Sequence, residues 1–251
     1  MRSGGALRAC CVAAAVLACG SRALAQGLEP DTPPTDGLSG GTKAERVLLY
    51  AGFDIWRYGR AGYGGFYWAP DGLNKDGFIT RLFVSGDAER YDAGSRRFNT
   101  NIIRAAPLAG WRLSRGTLEL KVFAGPELEN RTLMPDIPTA EFRGTRIGAR
   151  VASELWWEPM PEMMLTSAFS ASTNATSHSA RGAAGWRVLD RFWAGPEISA
   201  SADVFSQQVR IGAHLTGFRL DALEWSAAVG YVQDSFHRSG VYGRIGVLTR
   251  Q

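Results

Sequence analysis

The sequence predicts an all-β fold, a closed, antiparallel, up-and-down transmembrane β-barrel of about twelve strands, within a range of roughly ten to fourteen. Three observations predict it: a secretory leader, a body without cysteine, and short segments of alternating apolar and polar residues that continue to the last residue. The body has no apolar run long enough to cross a bilayer as a helix. Strands are therefore the expected membrane-spanning elements.

The N-terminus has the composition of a signal peptide. Arg2 and Arg8 precede a short apolar stretch over 9–18, and a small-x-small sequence, Ala-Leu-Ala, ends at Ala25. We therefore expect a signal peptide over residues 1–25, cleaved after Ala25, and export to the outer membrane of a Gram-negative cell.

All three cysteines, Cys10, Cys11 and Cys19, lie in the expected leader. A lipoprotein signal with Cys19 as the lipidated residue is the alternative, but Leu17 stands where a smaller residue is usual. Without the leader, the chain has no thiol for a disulfide or a thiolate metal site. The leader also holds three of the 28 basic residues, which leaves 25 basic against 24 acidic residues, so nucleic acid is not an expected partner.

The remainder divides into two parts. Residues 26–45 are rich in Pro, Gly, Asp and Thr and show no periodicity, so we expect a flexible periplasmic lead-in. Residues 46–251 contain no linker long enough to separate two domains. They are therefore expected to form one β-barrel domain.

Alternation is the observation that carries the strand prediction. Over 146–157, the odd positions are mostly apolar, whereas Arg146, Arg150 and Glu154 occupy even positions, so the two faces meet different surroundings. The same split recurs along the chain. About twelve such runs are centred near residues 51, 65, 83, 103, 121, 149, 166, 183, 197, 212, 227 and 244.

Turn residues and aromatic residues agree with a barrel. Pairs that tolerate positive φ lie between the runs and predict hairpin turns at Asp71-Gly72, Asp76-Gly77, Arg115-Gly116 and Ser239-Gly240. Many of the eight Trp, seven Tyr and twelve Phe lie near run ends, which is typical of an aromatic girdle at the membrane interfaces. The alternative is that these rings form the core of a soluble barrel or sandwich.

One hairpin pattern occurs twice. Gly-Trp-Arg followed by Ala-Gly-Pro-Glu is found over 110–127 and again over 185–197. Proline cannot donate to a strand ladder, so Pro126 and Pro196 are predicted to mark a bulge or strand end where the following glutamate turns inward. The alternative is a purely structural kink.

Six short segments occur along the chain in a definite order: Ala51-Gly52-Phe53-Asp54, Lys75-Asp76-Gly77-Phe78, Ala124-Gly125-Pro126-Glu127, Ser153-Glu154-Leu155-Trp156, Gly195-Pro196-Glu197 and the run from Arg210 to Gly217. In their order and spacing, these segments resemble the BcsS family of cellulose biosynthesis proteins of Gram-negative bacteria. The resemblance covers the chain from about Val47 onward. It implies an outer-membrane-like β-barrel associated with cellulose production, with no catalytic residues to carry over. One departure is that the chain ends in Arg250-Gln251, without the terminal aromatic residue common in outer-membrane barrels.

Catalytic and metal chemistry have little support in the sequence. The three histidines, His178, His214 and His237, have no metal-ligand spacing, and no cofactor is expected. A pairing of His214 with a serine at 199, 201 or 226 would be needed for a nucleophile, but no motif selects one serine.

Charged residues on the polar parity of their runs are the candidate lumen residues. They are Arg112, Lys121, Glu127, Arg146, Arg150, Glu154, Arg187, Glu197, Arg210, His214 and Glu224. Mixed charge in a narrow interior favours a salt-bridged plug, because unpaired buried charges are costly. The alternative is a groove in which arginines and aromatic rings bind a polysaccharide.

These features together favour a non-enzymatic outer-membrane barrel that is accessory to cellulose biosynthesis or export, organising the secretion site or contacting the glucan. Expected partners are outer-membrane lipid and either the glucan chain or other cellulose-secretion components. A small porin is the first alternative, and a membrane enzyme acting on lipid or glycan is the second.

Overall fold

The computed structural model describes residues 45–93, 96–135 and 143–251, in which twelve strands form one closed barrel. The strands are β1 Val47–Trp56, β2 Gly59–Trp68, β3 Gly77–Ala93, β4 Arg96–Arg115, β5 Leu118–Met134, β6 Gly144–Met160, β7 Met163–Ser172, β8 His178–Val188, β9 Phe192–Ala202, β10 Gln207–Leu220, β11 Leu223–Asp234 and β12 Ser239–Arg250. The predicted fold class is confirmed, and every predicted run centre falls within its strand. The expected leader and nearly all of the expected lead-in lie outside the described residues.

Every strand pairs antiparallel with its neighbours in sequence, and β1 pairs with β12 to close the sheet. The closing register runs from Leu48 opposite Arg250 to Trp56 opposite Tyr242. Because the sheet closes on itself, no strand forms an open edge along its length, which is the condition for a β-structure inside a bilayer. Within the described residues, no helix is long and apolar enough to cross a membrane.

The pleat sorts the side chains into an interior and an exterior. On β5, Glu119, Lys121 and Glu127 are buried, whereas Val122 and Leu128, at positions of the other parity, are exposed. Because successive side chains point to opposite faces, the odd positions of this strand line the interior and the even positions form the outer surface. The alternation seen in the sequence therefore separates a charged interior from an apolar exterior.

The two ends of the barrel differ. The terminal end, where β1 begins and β12 ends, carries the turns at 116–117, 161–162, 189–191 and 221–222. The distal end carries the loops at 173–177, 203–206 and 235–238. At the distal end the longer strands project beyond their neighbours: Gly59 of β2 pairs with Glu89 of β3, and Ser172 of β7 pairs with Arg150 of β6. The parts of β3 and β6 beyond these pairs form a raised wall on one side of the barrel mouth.

Two local predictions are wrong. Ser239 and Gly240 are not a turn, because they begin β12 and pair with Gln233 and Val232 of β11. Pro126 and Pro196 are not bulges or strand ends. The β5–β6 register passes Pro126 without a shift, and the β9–β10 register does the same at Pro196.

Each proline is accommodated by a gap in one ladder rather than by a bulge. The β4–β5 pairing is interrupted between Ala105 and Ala109, opposite the segment that contains Pro126, and resumes in the same register. Pro126, which has no N–H to donate, thus lies where β4 and β5 form no paired hydrogen bonds. In the preceding position, a Cβ on Gly125 would lie 2.3 Å from the carbonyl oxygen of Pro107, so only glycine fits there. Register shifts do occur elsewhere, at Gly217 between Thr216 and Phe218 of β10 and between Trp157 and Met160 of β6.

Candidate functional site

The first interior network is centred on Glu154 of β6. Its Oε1 accepts hydrogen bonds from the Tyr67 hydroxyl at 2.7 Å and from Arg81 Nη1 at 2.8 Å. Tyr67 lies on β2 and Arg81 on β3, so this carboxylate joins strands that are not neighbours in the sheet. The side chains therefore cross the interior and fill it near the terminal end.

Lys121 of β5 extends the same network. Its ammonium lies 3.8 Å from Glu154 Oε2 and 3.6 Å from Glu119 Oε1, and Glu119 binds the Arg112 guanidinium through two hydrogen bonds of 2.7 and 2.9 Å. Lys121 is only 1% exposed. A buried ammonium is strongly disfavoured without acidic partners, so the two carboxylates are what permit a lysine at this position.

The second network surrounds Glu127 of β5, which is 0% exposed. Arg150 of β6 and the Ser172 hydroxyl of β7 both donate to its carboxylate. Asn174 Nδ2 donates to the Glu127 backbone carbonyl at 3.2 Å, and Arg150 Nη2 donates to Ser170 Oγ at 2.9 Å. The loop after β7 is thereby drawn into the barrel mouth.

The third network lies on the other side of the barrel and is centred on Glu197 of β9. Arg181 of β8 and Arg244 of β12 donate to its Oε2 at 2.6 and 2.7 Å, and the Tyr242 hydroxyl donates to Oε1 at 2.8 Å. Arg210 of β10 stacks over the Tyr242 ring at 5.1 Å. Arg210 also binds Asp54 of β1 and Gln208 of β10, so this network joins five strands, β1, β8, β9, β10 and β12.

The Gly-Pro-Glu repeat thus delivers two buried carboxylates. Glu127 and Glu197 each follow Gly-Pro, each faces the interior, and each accepts hydrogen bonds from an arginine on the neighbouring strand. The prolines do not turn these glutamates inward through a bulge, because ordinary pleat alternation already does so.

His214 has both ring nitrogens engaged. Nδ1 lies 3.0 Å from Thr216 Oγ1 and Nε2 lies 3.2 Å from the Ala184 carbonyl oxygen. In the register, His214 lies opposite Gly195 and Ala228, and no serine stands at either position. The structure therefore places His214 in a hydrogen-bonding role within the wall rather than in a pair with a serine.

The remaining predicted residues lie at the ends of the barrel. Glu224 Oε2 is 3.5 Å from Arg250 and 3.6 Å from Arg219 at the terminal end. At that end, Arg187 stacks over Trp193 at 4.6 Å and lies 3.6 Å from Glu158. Towards the distal end, Arg146 of β6 stands opposite Glu129 of β5 in the register.

The distal mouth contains ion pairs that the sequence analysis did not identify. Arg104 of β4 binds Asp87 at 2.6 Å and Glu129 at 2.8 Å. Arg131 of β5 lies 3.3 Å from Asp203, which belongs to the loop between β9 and β10. This loop is therefore tied to a strand on the opposite wall of the barrel.

Other interior residues were not predicted, although they occupy inward-facing positions of their strands. They are Asp54, Tyr67, Glu119, Glu129, Arg131, Arg181, Tyr242, Arg244 and Arg250. The alternation in the sequence could have identified these residues as inward-facing. It could not have identified their partners, because the partners lie on other strands.

The interior side chains are closely packed, and Lys121, Glu127, Glu129 and Trp193 are each at most 1% exposed. A cavity beside Tyr50, Thr216 and Glu224 holds about 20 Å³, room for about one water molecule. Among residues 45–93, 96–135 and 143–251, no group of three or more His, Cys, Asp or Glu could hold a metal ion. What the interior arrangement can do chemically is hold strands together through paired, desolvated charges.

One charged pair at the terminal end involves Asp76, a residue outside the membrane-spanning strands. The carboxylate of Asp76, in the loop before β3, accepts a 2.6 Å hydrogen bond from Arg115 and another from the Ser114 N–H. These contacts, the arginine first, hold the pKa of Asp76 below its usual value. The loop is thereby attached to the end of β4.

The chain was compared with known families and structures. A family model described as cellulose biosynthesis protein BcsS matches residues 48–251. Among solved structures, LpxR from Salmonella typhimurium is similar at 9% identity, with a TM-score of 0.50, over 80% of this chain and 99% of LpxR. The translocator domain of the autotransporter NalP from Neisseria meningitidis matches at 13% identity, with a TM-score of 0.48, over 86% of this chain and 91% of that domain.

The KdgM porin matches at 9% identity, with a TM-score of 0.45, over 80% of this chain and 98% of the porin. Among curated protein sequences, none matches. At these identities the likeness to LpxR concerns the barrel fold alone.

Proposed function

The chain belongs to the family of the cellulose biosynthesis protein BcsS, and from this premise we propose that it is a non-enzymatic outer-membrane barrel that assists cellulose synthesis or export. In this role it organises the secretion site or contacts the glucan at its surface, rather than conducting it. The observation that carries the proposal is the filled interior, where charged side chains from opposite walls bind one another.

The interior networks argue against a porin. Glu154 binds residues of β2 and β3, Glu197 binds residues of β8 and β12, and Arg131 binds the loop between β9 and β10. A polymer chain could pass only if these buried ion pairs separated, and breaking a buried ion pair costs about 3–5 kcal/mol. We infer that the predicted lumen residues form a structural plug rather than a polysaccharide groove.

The outer surface supports a membrane location. Ile103, Val151, Val229 and Ile245 are exposed apolar residues on four different strands, and they alternate with the interior residues. An apolar band around a closed barrel is stable only against lipid. Together with the predicted export signal, this supports insertion in the outer membrane, with lipid as the surrounding partner.

The hydrogen bonds of His214 support a non-enzymatic role. Both of its nitrogens are satisfied by Thr216 and a backbone carbonyl, so it is not poised to take a proton from a serine. The family description adds a connection with cellulose, and other cellulose-secretion components are the protein partners we propose.

The test combines location, phenotype and conductance. Outer-membrane fractions are run on a denaturing gel with and without boiling, a strain lacking the gene is assayed for cellulose, and the purified barrel is placed in a planar bilayer. We expect a faster unboiled band, reduced cellulose that the gene restores, and no steady conductance. A stable open-channel current would replace the proposal with a porin, and labelling by a serine-directed probe would replace it with an enzyme.

A further inference from the structure

Two neighbouring loops at the distal end share one construction. The loop 203–206 joins β9 to β10, and the loop 235–238 joins β11 to β12. An Asp-x-Phe sequence occurs at the start of each loop. It is Asp203-Val204-Phe205 in the first loop, and in the second it is Asp234-Ser235-Phe236, of which Asp234 is the last residue of β11. The repeat is independent of the Gly-Pro-Glu repeat and lies outside the interior networks centred on Glu154 and Glu197.

In the first loop, Asp203 fixes the backbone around Phe205. Its Oδ1 accepts hydrogen bonds from the N–H groups of Phe205 and Ser206, both at 2.8 Å, and its own N–H donates to the Ser206 carbonyl at 2.9 Å. The Phe205 ring lies 4.9 Å beneath the Arg131 guanidinium and is still 46% exposed.

In the second loop, Asp234 does the same for Phe236. Its Oδ1 accepts from the N–H groups of Phe236 at 3.0 Å and Arg238 at 2.9 Å, and its own N–H donates to the Arg238 carbonyl at 3.0 Å. The Phe236 ring lies 5.0 Å from the Arg238 guanidinium and is also 46% exposed. An aspartate that fixes the loop backbone and a half-exposed ring next to an arginine therefore recur, with the arginine supplied by β5 in the first case and by the loop itself in the second.

The two loops are held side by side. The Ser235 N–H donates to the Gln207 carbonyl at 2.8 Å, and the Gln207 N–H donates to Ser235 Oγ at 3.1 Å. The hairpins are separated by two strand spacings, or about 10 Å.

From this geometry we propose that Phe205 and Phe236 form a stacking platform for a neutral glucan chain at the distal mouth. The apolar faces of pyranose rings pack against aromatic rings, and rings that are fixed in advance lose little entropy when a ligand binds. The inference rests on the proposed function, because it names the surface by which an accessory barrel would contact cellulose.

The two guanidiniums that contact the rings are already balanced by carboxylates. Arg131 is paired with Asp203 and Glu129, and Arg238 is paired with Asp234 and Glu89. Each guanidinium thus faces two carboxylates, so it offers no excess positive charge to an acidic polysaccharide or a lipid phosphate. A neutral glucan interacts through its CH faces and hydroxyl groups, so it requires no excess positive charge.

The experiment measures binding to the full mature chain in detergent micelles by calorimetry. Cellohexaose is the probe, and maltohexaose and an oligogalacturonate are the comparison ligands. We expect cellohexaose to bind best, Phe205→Ala and Phe236→Ala each to weaken binding about threefold to tenfold, and the double variant to weaken it further. Phe236→Trp should retain binding because it keeps an aromatic face.

Phe218→Ala is the matched control, because Phe218 is also an exposed phenylalanine but lies towards the terminal end of β10. It should bind like the wild type, and all variants should keep the faster-migrating unboiled band. Equal binding by wild type and double variant would overturn the platform, as would a preference for the oligogalacturonate. Loss of cellulose in the deletion strain without any glucan binding would overturn the platform alone, whereas unchanged cellulose in that strain would overturn the proposed function.

Discussion

Neutralising Glu197 is the sharpest test of the filled interior. Glu197→Gln keeps the size of the side chain but removes the charge that Arg181 and Arg244 share at 2.6 and 2.7 Å. The glutamine carbonyl still accepts from the Tyr242 hydroxyl, so the change isolates the ionic part of the network. The two guanidiniums remain in place, each only 12–13% exposed.

The expected loss in the free energy of unfolding is about 2–4 kcal/mol. Removing one partner of a buried ion pair costs about 3–5 kcal/mol, and the retained hydrogen bond returns about 1 kcal/mol. The measurement is equilibrium unfolding by urea in lipid or detergent, followed by tryptophan fluorescence. If the slope of the unfolding free energy against urea concentration is the same for both proteins, unfolding exposes the same amount of surface in each.

Glu162→Gln is the control, because Glu162 is an exposed residue of the turn between β6 and β7. It should change stability by less than about 0.5 kcal/mol. If Glu197→Gln were equally harmless, the interior charges would have to be solvated well enough that pairing adds nothing. In that case the barrel interior would be a wet channel, and the argument against a porin would fail.

Three further changes test other parts of the structure. Gly125→Ala should cost about 1–3 kcal/mol, because the new Cβ would lie 2.3 Å from the Pro107 carbonyl oxygen, whereas Gly62→Ala, with nothing within 4 Å, should be nearly neutral in the same urea assay. His214→Ala should cost about 1–3 kcal/mol through lost hydrogen bonds yet leave cellulose yield unchanged, and abolished cellulose with a folded barrel would point to catalysis. The lowered pKa of Asp76 means that its contribution is present above the ordinary aspartate pKa and is lost as pH falls through its own lower pKa. Asp76→Asn should therefore lose less stability than the wild type between about pH 6 and about pH 2, and equal losses would refute this.

Strand number and side-chain orientation could be predicted because both depend on a local pattern. A run such as 146–157 shows its two faces directly, since a charged side chain on the lipid side would be costly. The predicted bulges at Pro126 and Pro196 were wrong because they depend on the neighbouring strand, which the local pattern does not show. A proline indicates a missing donor, but the sequence does not reveal that the neighbouring ladder is already open at that level.

The pairing inside the barrel could not be predicted, because it depends on closure and stagger. Tyr67 and Glu154 are 87 residues apart, and Arg210 and Asp54 are 156 residues apart. Odd or even position along a strand shows that a side chain faces inward. Its level along the barrel axis, and so the strand residue it meets across the interior, depends on the register of every strand pair in between. The distal loops were missed because 203–206 and 235–238 do not alternate, so a search for strands passes over them.

The interior and the rim of this barrel have different consequences for function. Two networks, one joining β2 to β6 and the other joining β9 to β12, stiffen the wall, because moving one strand would separate its buried charged groups from their partners on another strand. A stiff wall can hold neighbouring loops at a fixed spacing, whereas a solvated pore of the same strand number would let them move. The ion pairs that close the interior are thus also what would keep Phe205 and Phe236 in position, which links the stability loss expected for Glu197→Gln to weaker glucan binding at the distal mouth.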